Sequence, residues 1–206
     1  MRILFQGDSI TDADRSRTDD TRLGFGYPRL VESTLGYERP GEFEFLNRGI
    51  SGNRIVDLYA RIKADIINLR PDIMSILIGV NDVWHELGDN PNGVDGEKFF
   101  KIYSMLIEEI KEALPDVKIM ILEPFVLKGC STIERWDEFS KEVPIRAMYA
   151  RKIAEKYSLP FIELQKGFDE LSKKAPCEYW LGDGVHPTAK GHEFIKNEWL
   201  KAFKTL

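Results

Sequence analysis

Three residue types near the two ends of the chain could together break an ester. Ser9 stands in Gly7-Asp8-Ser9-Ile10-Thr11, after the apolar run Ile3-Leu4-Phe5, where a first strand should end and a tight strand-to-helix turn begin. Such a turn exposes a side-chain oxygen and points backbone N–H groups at the same spot, which marks Ser9 as a candidate nucleophile. Taken alone, the triplet more often reads as a helix cap, since Asp and Ser are usual N-cap residues. Far along the chain, Asp183-Gly184-Val185-His186-Pro187 sets a carboxylate and an imidazole one short turn apart. An imidazole titrates near neutrality and can take a serine proton, and a carboxylate can fix the ring. Alcohol, base and acid are the ingredients of acyl transfer.

A second Asp–His pair competes with the first. Asp82-Val83-Trp84-His85 also follows an expected strand end, so His85 is a rival base, while Asp82 reads as a cap for the segment after it. His192 falls inside the last expected helix, off the His186 face, and reads as structural or surface. Three scattered histidines do not build a metal site. Cys130 and Cys177 show no partnering pattern and read as free thiols. Neither a Gly-x-Gly-x-x-Gly turn nor a Walker loop follows the first strand, so no cofactor is expected.

These residues need a frame. Apolar runs of strand length occur at Ile3 to Phe5, Phe43 to Leu46, Ile73 to Ile78, Val117 to Leu122 and Pro160 to Leu164. Helical periods lie between them, at Tyr27 to Leu35, Ile55 to Leu69, Phe99 to Leu114 and Asp137 to Tyr157. A final amphipathic helix follows Pro187, which suits its N1 position. Alternation of this kind predicts an α/β fold, a parallel sheet covered on both faces in a three-layer sandwich. Ser9 then follows the first strand, the block Asn47-Arg48-Gly49-Ile50-Ser51-Gly52-Asn53 the second, and Gly79-Val80-Asn81-Asp82 the third. All three lie on the carboxyl edge, where open α/β sheets bind ligands.

Gly7-Asp8-Ser9-Ile10, Gly49, Gly79-Val80-Asn81-Asp82 and Asp183-Gly184-Val185-His186 resemble, in order, the four motif blocks of the SGNH (GDSL-type) hydrolase superfamily, and span residues 7 to 187. The resemblance implies a flavodoxin-like five-stranded parallel sheet, with Ser9 as nucleophile, His186 as base and Asp183 as its orienter. It also implies an oxyanion hole built from the N–H groups of Ser9 and Gly49 and the amide of Asn81. Within the superfamily, the blocks around Asn47 to Asn53, Ile78 to Trp84 and Val185 to Pro187 are most similar to bacterial carbohydrate acetylesterases, notably acetylxylan esterases.

With 206 residues, 43% of them apolar, the chain can bury one good core, and a single domain over 1–206 is expected. A net charge of −5 gives no attraction to nucleic acid or anionic lipid. No stretch approaches the roughly 18 apolar residues of a membrane span, and the first ten residues already carry the candidate site, so a cytoplasmic protein is expected. The loops from Asp12 to Arg22 and from Leu87 to Lys98 are long and polar, favouring a small acyl group on a hydrated alcohol such as a sugar. Asp8, Trp84 and Trp180 stand beside motif residues as candidate substrate contacts. Several aromatic residues leave a homo-oligomer open.

The expected activity is therefore a serine esterase that removes acetyl groups from xylo-oligosaccharides or related sugars through an acyl-enzyme on Ser9. The alternatives on the same scaffold are a broad short-chain esterase, a thioesterase or a lysophospholipase. A pure binding module would need no base beside its hydroxyl.

Overall fold

Five strands rich in Ile, Leu, Met and Phe form the centre of the molecule, described over residues 1–206 by a computed structural model. They are β1 (Arg2–Gly7), β2 (Glu44–Asn47), β3 (Ile73–Leu77), β4 (Lys118–Leu122) and β5 (Phe161–Ile162). All pair in parallel, in the order β2-β1-β3-β4-β5. Ten helices connect and cover them: α1 (Ser9–Asp12), α2 (Tyr27–Glu38), α3 (Ile55–Ala60), α4 (Ile62–Asp65), α5 (Val80–Trp84), α6 (Gly96–Ala113), α7 (Trp136–Tyr157), α8 (Gln165–Ser172), α9 (Cys177–Trp180) and α10 (Ala189–Phe203). This is the expected flavodoxin-like α/β sandwich.

Successive side chains of a strand face opposite sides of the sheet, and the core divides accordingly. Ile3, Phe5, Met120 and Leu122 pack with Tyr27 and Val31 of α2 and Ile195 and Trp199 of α10. Leu4, Leu46, Met74, Ile76 and Ile121 pack with Ile55 and Leu58 of α3 and Phe99, Tyr103 and Ile107 of α6. The long helix α7 serves both clusters, with Phe139 and Val143 in the first and Ala150 and Ile153 in the second. Trp199 is fully buried, 5.5 Å from the Phe5 ring and stacked on Phe203. Burying roughly 200 Å² there stabilises the docking of α10 by about 5 kcal/mol at most.

Register brings the chemistry to one edge. Phe5 pairs with Asn47, Gly7 with Leu77, and Leu77 with Leu122. The segments after β1, β2 and β3 therefore leave the sheet side by side, at the switch point between β1 and β3 where the chain direction of winding reverses.

Two local expectations change. The stripe from Ile55 to Leu69 is not one helix: α3 ends at Arg61, whose backbone leaves helical geometry, α4 follows, and Ile67–Leu69 is a 3₁₀ turn. The Arg61 guanidinium is drawn to Asn53 Oδ1, Asp65 Oδ2 and the Gly7 carbonyl, while Ile55, Leu58, Ile62 and Ile66 keep the buried stripe. Pro187 is not at N1 of α10; Thr188 is the N-cap, its side chain accepting from Gly191 N–H. The short helices α8 and α9 fill the chain between β5 and the Asp183 loop.

Candidate active site

Ser9 opens α1 immediately after β1, and Asp8 caps that turn by accepting the Ile10 N–H on Oδ1 at 3.0 Å. The hydroxyl is left facing the loop that precedes α10. Ser9 Oγ lies 2.9 Å from His186 Nε2, and His186 Nδ1 lies 2.8 Å from Asp183 Oδ2. Residues 177 positions apart in sequence thus form one hydrogen-bonded chain. Asp183 is itself fixed: its Oδ1 accepts from the N–H groups of Val185 and His186, and Ser131 Oγ donates to Oδ2. Burial opposes its charge, yet the His186 ring and those N–H groups together hold the carboxyl well below the usual range. In turn, the Asp183 contact raises the pKa of His186, against the pull of its own burial. The ring is oriented with Nε2 toward Ser9, as a base for the hydroxyl must be.

The rival base is excluded by position. His85 caps the end of α5 and its side chain sits by Gly52, about 4 Å from where a Cβ on that glycine would stand. No hydrogen bond joins it to Ser9, which is occupied by His186. Asp82 does cap a helix, but an earlier one than expected. Both its oxygens accept from Ile55 N–H at the start of α3, at 3.1 and 3.3 Å. Burial pushes its carboxyl up to about 7.

The loop after β2 carries a correction. Gly49 N–H donates to Asn47 Oδ1 at 2.9 Å, and its carbonyl accepts from Arg15 and Arg17. Its amide is therefore not free to hold an oxyanion. Gly49 is a glycine because the chain is crowded there: a Cβ would lie 2.3 Å from Asp12 N. Asn47 organises the crossing, donating to the carbonyls of Thr11 and Leu23 while it accepts from Gly49. Three residues on, Gly52 has φ of +81°, only the His85 ring within 4.0 Å of where a Cβ would stand, and an N–H with no partner in the chain. The Ser9 N–H is likewise unpartnered. Asn81, nearly buried in α5, donates one amide hydrogen to the Asn53 carbonyl at 3.1 Å and keeps the other free.

Asp8 is not a substrate contact. It is 1% exposed, and burial pushes its carboxyl up to about 7 against the opposing Ile10 N–H and the nearby His186 charge. Trp84 lies beside the base, its ring 6.0 Å from that of His186 and edge-on to Phe139. Trp180 sits farther out, in an apolar trough with Phe25, Leu30 and Tyr179. Glu123, just after β4, is structural: it caps α8 by accepting from Leu164 and Gln165 N–H. No three His, Cys, Asp or Glu side chains converge as metal ligands.

A cavity of about 450 Å³ opens at Ser9 and His186, with Asp12, Asp14, Ser51 and His192 in its walls. The sequence pattern reads His192 as structural or surface. Its place in this cavity, and the roles of Asn47, Gly52 and Ser131, depend on contacts across distant segments. Only Gly52 carried a local signal, as the second glycine of its block.

A parallel α/β sheet with a Ser–His–Asp chain at its carboxyl edge is equipped for acyl transfer, and its relatives make the protein a carboxylic ester hydrolase. The chain belongs to the GDSL-like lipase/acylhydrolase family, whose pattern matches residues 5–194. It is 32% identical to the acetylxylan esterase of Geobacillus stearothermophilus over 97% of this chain and 92% of that protein. The crystal structure of that enzyme superposes with a TM-score of 0.86, covering 98% of this chain and 93% of the other at 31% identity. A Parabacteroides merdae structure described as a GDSL-like lipase gives 0.92 at 37% identity, over 98% and 94% of the two chains. The isoamyl acetate-hydrolysing esterase of Saccharomyces cerevisiae is 26% identical over the whole chain and 87% of its own length.

Proposed function

We propose that this protein removes acetyl groups from short carbohydrate esters, acetylated xylo-oligosaccharides being the leading candidates. The observation that carries the catalytic part is the unbroken chain from Ser9 Oγ through His186 to Asp183. Neutral His186 takes the Ser9 proton as Oγ attacks the acetyl carbonyl. The charge that develops on the carbonyl oxygen is met by the N–H groups of Ser9 and Gly52 and the free amide hydrogen of Asn81. His186, now cationic and steadied by Asp183, hands its proton to the leaving alcohol. Water then enters, His186 takes one of its protons, and the acetyl-enzyme is released as acetate.

The sugar assignment is supported by similarity to the acetylxylan esterase across nearly the whole chain and by the polar groups of Asp12, Asp14, Ser51 and His192 among the cavity walls. Two free thiols, Cys130 and Cys177, fit work in the reducing cytoplasm, on small esters and without nucleic acid or membrane as partner. A second reading, a short-chain esterase of apolar alcohols, draws support from the trough at Phe25, Tyr179 and Trp180 and from the yeast relative. Acetate release from acetylated xylo-oligosaccharides, measured beside that from isoamyl acetate and 4-nitrophenyl acetate, decides between them. A higher kcat/KM for the sugar ester supports the proposal, and a preference for isoamyl acetate refutes it.

A further inference from the structure

The cavity at Ser9 is lined by His186, Pro187, Ala189 and His192 beside the base and reaches Ser51 of the β2 loop. A leaving alcohol must lie within reach of His186 Nε2 to receive its proton, so the alcohol half of the ester belongs on the His186 side. Acetyl itself needs little room, and about 450 Å³ is far more than a methyl group fills.

One wall of this space is the ring of His192, which is 7% exposed. Its Nδ1 accepts the backbone N–H of Tyr27, the first residue of α2, at 3.1 Å. A nitrogen that accepts such a bond carries no hydrogen, so the neutral ring must hold its hydrogen on Nε2. Nε2 has no partner in the chain, and it is not among the polar atoms sealed from solvent. Burial, with the charge of His186 adding to it, pushes the ring down to about 4. The other titratable groups on the cavity are Asp12, which is tied to Arg17 and Ser51 N–H, and Asp14.

We infer that this cavity receives a hydroxylated alcohol, such as a polyol or pyranoside ring, and that His192 Nε2–H donates to one of its hydroxyl or ether oxygens. The inference rests on the serine-esterase reading above and names the part of the substrate that the site reads. A neutral donor beside two carboxylates suits an uncharged sugar and disfavours an acidic one. The ring is a positioning group: it never exchanges a proton with the reacting atoms, and the Tyr27 contact keeps it in one tautomer.

The test compares matched acetates of a hydroxylated and a plain alcohol, glycerol monoacetate and propyl acetate, with acetylated xylo-oligosaccharide as a third substrate. In His192→Leu, the ratio of kcat/KM for glycerol monoacetate to that for propyl acetate should fall about 3- to 10-fold, the worth of one neutral hydrogen bond. His192→Gln, which restores an N–H donor, should recover part of the ratio. An unchanged ratio in a folded His192→Leu protein overturns the inference, as does an equal loss on both esters. Wild-type protein provides an arm free of folding effects: imidazole ¹⁵N spectra at pH 7 should show His192 as the Nε2–H tautomer, with that resonance moving on saturation with xylobiose. An Nδ1–H tautomer, or no movement at saturation, also overturns it. If the wild type ignores the xylo-oligosaccharide while the glycerol ester still depends on His192, the donor stands and the sugar assignment falls.

Discussion

Replacing Asp183 with Asn changes one atom and should remove the base without removing the fold. Asn Oδ1 can still accept the N–H groups of Val185 and His186, which hold the carboxylate at 2.9 and 2.8 Å. The other atom facing His186 Nδ1, now 2.8 Å from a carboxylate oxygen, becomes an amide nitrogen that donates. Nδ1 must then accept, and the hydrogen moves to Nε2, against Ser9. A tautomer that cannot take the serine proton costs about 10³- to 10⁴-fold in kcat, or ~4–5.5 kcal/mol of transition-state stabilisation. The pH profile should move as well. Asp183 raises the pKa of His186, and only the neutral ring is a base, so wild-type activity falls as pH drops through that raised value. Without the carboxylate the acid limb of kcat/KM should shift to lower pH while the plateau collapses. The assay is 4-nitrophenyl acetate hydrolysis from pH 4 to 9, with thermal melts showing that the variant is folded. A loss smaller than about tenfold with an unmoved acid limb would refute the assignment of Asp183.

Three further outcomes follow from the same contacts. Gly49→Ala should unfold or severely destabilise the protein, because its Cβ would meet Asp12 N at 2.3 Å, whereas in Gly52→Ala the Cβ would meet only the His85 ring at 4.0 Å, at a cost in backbone strain of about 1 kcal/mol at φ +81°. Chemical denaturation and kcat on both should therefore separate a packing glycine from one at the oxyanion, with Gly52→Ala losing more rate than stability. Asn81→Ala should lower kcat about 10²- to 10³-fold with little change in KM; a drop confined to KM would remove it from the oxyanion hole. Asp82 is held up to about 7 by burial, so between the ordinary carboxylate range and pH 7 the folded state keeps a proton that the unfolded chain has lost. Stability from this group is present at low pH and declines as pH rises, by up to about 1.4 kcal/mol per unit. Asp82→Asn should flatten that decline in urea titrations at pH 5 and 7, and an identical slope in the variant would contradict the burial account.

The sheet and its parallel winding were legible because each has a short-range signature, apolar runs of strand length alternating with helical periods, and Ser9 stands just past a strand end; Asp183 and His186 follow α9 rather than a strand, and the order of the motif blocks, not a local signature, favoured them over Asp82 and His85. What escaped depends on contacts between distant segments. Gly49 and Gly52 share one seven-residue block, and only the bond from Gly49 N–H to Asn47 Oδ1 shows which amide is already used. Periodicity sees the apolar face of Ile55 to Leu69, which does persist, and is blind to the polar pull of Asn53, Asp65 and Gly7 on Arg61 that breaks the helix. Asp8 looks like a substrate contact beside Ser9, yet the turn that exposes the serine buries its neighbour as a cap. His192 carried no local mark at all, since its meaning comes from Tyr27 N–H on one side and the Ser9 cavity on the other.

The most direct measurement of the central claim is covalent capture of the nucleophile. Incubation with an alkyl fluorophosphonate, followed by intact-protein and peptide mass spectrometry, should show one phosphonyl group per chain on the peptide containing Ser9. Labelling should be absent in Ser9→Ala, at least about 100-fold slower in His186→Ala, and nearly unaffected in His85→Ala. A label on another residue, or one whose rate depends on His85 and not on His186, would contradict the Ser9–His186–Asp183 site.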